Sequence, residues 1–150
     1  MDLYQDLILD HAKRPRFAGL RAPFDAEVHH VNPTCGDEVT LRLTLQGDVV
    51  ADISYDALGC SISTASASMM AEELTGRPLS EALEVVAGLR AMMTSRGADA
   101  GDAEVIGDAV ALAGVAKYPA RVKCGLLAWM AFLDALGRTP NHPLAEGSPS

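Results

Sequence analysis

The pattern of apolar and polar positions changes character once along the chain, near Gly59. Ahead of it, Leu3, Leu7, Ile8 and Ala12 recur at helical spacing within Asp2–Lys13 and the pattern stops before Pro15, which predicts an amphipathic helix. A short β-prone run follows over Ala26–Val31. Asp37–Gln46 then alternates, with Val39, Leu41, Leu43 and Leu45 on one face and Thr40, Arg42, Thr44 and Gln46 on the other, as a half-buried strand requires. Gly47 supplies the residue a tight hairpin turn needs, and Val49–Tyr55 returns as a third strand. The three runs predict an antiparallel meander.

Beyond Gly59 the alternation disappears and Ala, Ser, Met, Leu and Glu dominate, residues that mostly suit helices. Helices are predicted at Ser61–Leu74, at Glu81–Thr94 with Ser80 as N-cap, at Asp102–Lys117, and at Arg121–Leu136 with Gly137 as the stop. Leu126, Leu127, Trp129, Met130 and Leu133 form the expected core stripe of the last helix, and Met69-Met70 and Met92-Met93 the expected gap fillers. Gly97–Gly101 reads as a loop, and Thr139–Ser150, with Pro140, Pro143 and Pro149, as a frayed tail. The organisation expected is one domain over 1–138 and a flexible tail over 139–150. Strands followed by helices, instead of alternating with them, predict an α+β fold: a two-layer domain with a three-stranded antiparallel sheet packed against helices.

Composition removes whole classes of function. With 150 residues, 49% of them hydrophobic, there is enough apolar material for one real core. The formal charge of −8 argues against nucleic acid, whose binding needs clustered Lys and Arg. The longest apolar run, Leu126–Leu133, ends at Asp134, far short of the ~20 residues of a spanning helix, so no membrane partner is expected. Acids at Asp2 and Asp6 stand where a signal peptide carries positive charge, and a cytoplasmic location is the expectation. Three cysteines in such a compartment do not make a disulfide framework; they imply buried thiols, metal ligands or a nucleophile.

Their surroundings favour chemistry. Cys35 lies in the turn-rich Asn32-Pro33-Thr34-Cys35-Gly36-Asp37, where a thiol is reachable, and Asp37 two positions on shares its side of an extended chain. Cys60 follows Gly59 at the junction of strand and helix, and Cys124 follows Pro119 near the start of the last helix. The positive end of a helix dipole favours a thiolate at both, with Arg121 and Lys123 adding to the effect at Cys124. Cys35, Asp37, Cys60 and Cys124 together offer a four-coordinate sulfur and oxygen site of the kind zinc accepts. Three scattered cysteines with no C-x-x-C pair are, on spacing alone, more often core filler than a site. His11, His29, His30 and His142 are read as packing or surface residues.

Three separated segments in order resemble a known family. They are Asn32-Pro33-Thr34-Cys35-Gly36-Asp37, Gly59-Cys60-Ser61-Ile62-Ser63-Thr64-Ala65-Ser66 and Tyr118-Pro119-Ala120-Arg121-Val122-Lys123-Cys124. With Leu3-Tyr4, His11 and Pro15-Arg16 ahead of them, the chain resembles the NifU-N/IscU-like iron–sulfur cluster assembly family, and within it the SufU type. Lys123 stands where IscU-like scaffolds carry a histidine, the Leu-Pro-Pro-Val-Lys motif is absent, and the interval between Cys60 and Cys124 is longer. The resemblance implies zinc held by Cys35, Asp37, Cys60 and Cys124. It also implies a catalytic Cys35 that accepts persulfide sulfur from a PLP-dependent cysteine desulfurase of SufS-like kind and passes it to the downstream iron–sulfur assembly machinery. Arg121 would meet an acidic group of that partner or steady the departing thiolate. Two alternatives stay open: an iron–sulfur cluster scaffold using the same cysteines, and a binding module with a purely structural zinc.

Overall fold

The structure is a computed structural model, which describes residues 3–33 and 36–139. Helix α1 (Leu3–Lys13) precedes a sheet of order β1-β2-β3, formed by β1 (Ala26–Asn32), β2 (Asp37–Gln46) and β3 (Val49–Leu58). Both pairings are antiparallel, so the meander and the α+β class predicted from the sequence are what the chain forms. Helices α2 (Ser61–Leu74), α3 (Leu79–Met93), α4 (Ala103–Ile106) and α5 (Pro119–Arg138) follow, with a 3₁₀ segment over Gly107–Lys117 between the last two.

One face of the sheet is apolar because the period-two pattern keeps register across strands. Val28, Leu41 and Tyr55 form one rung and Ala26, Leu43 and Ile53 the next, all buried under α2 and α5. The indole of Trp129 and the ring of Phe132 on α5 are fully buried there, beside Met69 and Met70 of α2 and Met92 and Met93 of α3. Of the expected α5 stripe only Trp129 is buried; Leu126, Leu127, Met130 and Leu133 are half-buried, and the buried face runs instead through Ala128, Ala131, Phe132, Ala135 and Leu136.

Three local expectations are corrected. The N-cap of α3 is Pro78, not Ser80: the chain turns in through the Val49–Pro78 bridge, and Leu79 donates its N–H to the Asp48 carbonyl. Asp102–Lys117 is not one helix. Asp102 does cap α4 through the Glu104 N–H, but Gly107 at φ +56° ends it after one turn, and the space a side chain would need there is taken by the Glu73 carboxylate. Gly137 is not the stop of α5, which runs to Arg138 and closes at Thr139, whose hydroxyl donates to the Leu136 carbonyl.

The two layers are also pinned by a polar contact. His30 Nε2 on β1 meets Asp134 Oδ2 on α5 at 2.8 Å, and Arg138 approaches the other oxygen at 2.9 Å. The His30 hydrogen bond is the main reason the Asp134 carboxyl titrates below the usual 3.8. A carboxylate favoured in this way stabilises the fold fully above that value and loses its contribution as pH falls through the lowered one. Asp134→Asn is therefore expected to lower unfolding free energy by roughly 0.5–1 kcal/mol at pH 7. The gap in urea midpoint should narrow as pH falls below 3.8 through the lowered value; a gap that stays constant over that range would refute this account.

Candidate metal centre

The apolar inner face ends in one polar rung. Asn32 pairs with Asp37 in the β1–β2 register, on the same face as Val28, Val39 and Leu41, and both side chains are buried. Leaving β3, the chain passes through Gly59 and enters α2 with Cys60 as N-cap. Cys60 makes no side-chain cap bond to the helix it begins. Asp37 fills the space in front of that helix. Its Oδ1 accepts the Cys60 N–H at 3.0 Å and its Oδ2 lies 3.8 Å from Cys60 Sγ. The carboxylate thus satisfies an otherwise open donor at the positive end of α2.

Gly59 makes this approach possible. Its φ of +151° belongs to backbone that L side chains rarely adopt, and a Cβ there would overlap Asp37 Oδ1, lie 2.7 Å from Asp37 Cγ and 2.9 Å from Ser63 Oγ. The third member arrives from α5. Cys124 is only 1% exposed, and its Sγ sits 4.0 Å from Asn32 Nδ2 and 3.9 Å from the Ala120 carbonyl. Helix α5 begins at Pro119, so Cys124 lies in its second turn and gains little from the helix terminus; this corrects the expectation that both thiols occupy helix starts.

The donor atoms of Asp37, Cys60 and Cys124 all lie within 4.8 Å of one another. A tetrahedral zinc, with bonds of about 2.0–2.3 Å, holds its donors about 3.3–3.8 Å apart, so a contraction of at most about 1.5 Å brings the three onto one ion. Two soft sulfurs and one oxygen, with two of the three side chains buried, suit zinc or an iron–sulfur cluster better than calcium or magnesium. Cys35, the fourth residue of the expected set, lies outside the described residues. Arg121 is exposed in the first turn of α5, on the wall of a groove of about 960 Å³ that also includes Cys60, Tyr4, Ile8 and Tyr118.

A second trio, His11, Glu72 and Asp108, also brings its donor atoms within 4.8 Å. Here both ring nitrogens of the fully buried His11 are engaged, Nδ1 with Ser68 Oγ at 2.7 Å and Nε2 with Asp108 Oδ2 at 3.1 Å. Arg16 stands 3.4 Å from Glu72. The cluster ties α1 to α2 and to the 3₁₀ segment, which is the packing role expected of His11.

The NifU-like N terminal domain model matches residues 3–125. The chain belongs to that family. Its NifU-like fold is shared at TM-score 0.79 with FiSufU of Fervidobacterium islandicum AW-1, at 35% identity over 87% of this chain and 93% of the other. A nitrogen-fixing NifU-like protein of Brucella abortus superposes with TM-score 0.82, at 25% identity over 97% and 96% of the two chains. Among curated relatives, the zinc-dependent sulfurtransferase SufU of Bacillus subtilis is 43% identical over 129 residues, 86% of each chain. The iron–sulfur cluster assembly scaffold protein IscU of Streptococcus pyogenes is 40% identical over 139 residues, 93% of this chain and 86% of that one. This NifU-like chain is therefore an iron–sulfur cluster assembly protein of SufU/IscU type.

The sequence alone missed two contributors. Asn32 had no role assigned within its motif, although a buried amide opposite Asp37 needs a partner. Gly59 registered only as a boundary; a glycine at the end of a strand directly before a cysteine was the available signal.

Proposed function

We propose that this NifU-like protein is a zinc-dependent sulfurtransferase in iron–sulfur cluster biogenesis, with zinc held by Cys35, Asp37, Cys60 and Cys124. The observation that carries the reading is the convergence of Asp37, Cys60 and Cys124 at the end of the sheet in a chain 43% identical to a zinc-dependent sulfurtransferase. Bound zinc would keep the thiols deprotonated at neutral pH. Cys35 accepts the sulfur: its thiolate attacks the outer sulfur of a persulfide on a PLP-dependent cysteine desulfurase, the donor's S–S bond breaks, and the desulfurase cysteine leaves as a thiolate. Asp37, Cys60 and Cys124 keep the site together meanwhile, and Arg121, exposed beside Cys60, pairs with an acidic group of the partner. A SufS-like desulfurase and downstream assembly machinery in the cytoplasm complete the proposal. The absence of any helix among the described residues long and apolar enough to cross a membrane is compatible with it.

The test combines metal analysis with a desulfurase assay. The purified chain is expected to hold about one zinc, to lack visible absorption and to stimulate its desulfurase, while Cys35→Ala stimulates at least ~100-fold less. Stimulation by Cys35→Ala equal to the parent's defeats the nucleophile assignment and leaves zinc as a structural staple. The 40% identity to a scaffold protein supports a second reading, in which the same cysteines hold an iron–sulfur cluster. A coloured cluster that transfers intact to an apo-acceptor would establish that one.

A further inference from the structure

The rung that ends the inner face carries two different polar side chains with two different aims. Asp37 offers only acceptors and faces Cys60; Asn32 turns its amide donor, Nδ2, toward Cys124 Sγ at 4.0 Å. Asp37 sits where every other inward member of β2 as far as Leu43 is apolar, and Asn32, at the end of β1, is 5% exposed. The two side chains are directly opposed in the register and lie side by side on one face of the sheet. The Asn32 carbonyl separately accepts the Gly36 N–H at 2.8 Å, which closes the turn carrying the segment between the strands. A substitution at the Asn32 side chain thus leaves that backbone bond available.

We infer that Asn32 is a positioning residue that makes Cys124 a resident ligand and leaves sulfur acceptance to Cys35. The inference rests on the metal-centre reading above. An amide N–H directed at a thiolate stabilises the sulfur's lone pairs, which lowers its nucleophilicity and holds it in one orientation. Among the described residues no amide donates to Cys60 Sγ; its contact is to the Asp37 carboxylate. With Cys124 quieted by an amide and buried in α5, a sulfur donor that reaches the centre meets inequivalent cysteines.

The experiment uses the full chain loaded with cobalt(II) or zinc, and two variants: Asn32→Ala, which removes the donor, and Asn32→Asp, which keeps the shape and replaces it with an acceptor. Removing a hydrogen bond from a thiolate raises the energy of its donor electrons, so the sulfur-to-cobalt charge-transfer band is expected to move to longer wavelength in both variants. Chelator competition should show metal held at least ~10-fold more weakly. After incubation of the zinc-loaded chain with a desulfurase and cysteine, peptide mass spectrometry should find the extra sulfur on Cys35 alone in the parent and also on Cys124 in the variants. An unshifted band in both variants overturns the inference, and so does a shifted band with sulfur still confined to Cys35. A parent chain that binds no metal, or takes no sulfur at Cys35, instead defeats the underlying reading, and is recognised before any variant is compared. Circular dichroism confirms folding, and if one variant fails to fold the other carries the test.

Discussion

Gly59→Ala is expected to abolish high-affinity metal binding without touching a single ligand. The new methyl group would overlap Asp37 Oδ1, so something must shift in a tight place: Asp37 is 1% exposed on β2, and Ser63 Oγ closes the other side. Either the carboxylate withdraws and frees the Cys60 N–H, or the β3–α2 junction shifts and carries Cys60 away from Cys124. Both outcomes break the trio. We expect zinc affinity to fall at least ~100-fold, and stability to drop by roughly 2–4 kcal/mol from backbone strain and the lost charge-assisted hydrogen bond. Gly47→Ala is the control. Gly47 also has positive φ, +62°, but nothing lies within 4 Å of its missing Cβ, so that variant should lose only about 1 kcal/mol and retain its metal. Metal content after desalting and chelator competition measure the first effect, urea unfolding the second. Full zinc occupancy in Gly59→Ala would show that Asp37 is not needed at the centre.

That experiment also marks where sequence reading ends. The strands were legible because side-chain direction repeats every two residues, and Val39, Leu41 and Leu43 state the buried face outright; the inward position of Asp37 follows from the same alternation. Cys60 at a helix start was legible because the change in composition falls at Gly59. The position of Cys124 in its helix was not. Pro119 is favoured at the first turn, so α5 begins before Arg121 and sets the cysteine deeper than expected, in the second turn. Nor did periodicity reveal the 3₁₀ segment, because Ala109, Val110, Ala111, Leu112, Val115 and Ala116 are buried together and a segment apolar on nearly all sides carries no facial signal. The break at Gly107 depends on Glu73, thirty-four positions away, and contacts at that separation are set by packing alone. The same holds for the trio of His11, Glu72 and Asp108, whose members come from three elements.

Trp129→Ala should cost the fold more than any other single truncation in α5, and should reach the metal centre as well. The indole is fully buried, and its Nε1–H donates to Ser66 Oγ at 2.8 Å; the same hydroxyl donates to the Gly125 carbonyl at 2.5 Å. This chain of bonds couples α2 to the α5 turn immediately after Cys124. Gly125 is itself a close-approach site, since a Cβ there would lie 2.6 Å from Met93 Cε, so α3 presses on the same turn. Removing the indole forfeits its burial and leaves a cavity that the surrounding core fills only in part, a loss of about 3–5 kcal/mol. At this chain length that corresponds to a melting point lower by about 6–20 °C. Trp129→Phe keeps most of the volume and removes only the N–H, so about 1–2 kcal/mol is expected; Ser66→Ala, which orphans the indole N–H and removes a second bond from the helix-paired Gly125 carbonyl, should cost about 1–3 kcal/mol. Because Trp129→Phe and Ser66→Ala share one bond, the double variant should lose less than the sum of the two. Strict additivity would mean that the hydroxyl does not link the two helices. In that case zinc affinity should be the same in Ser66→Ala as in the parent, whereas the bridge predicts that it weakens as the Cys124 turn loosens.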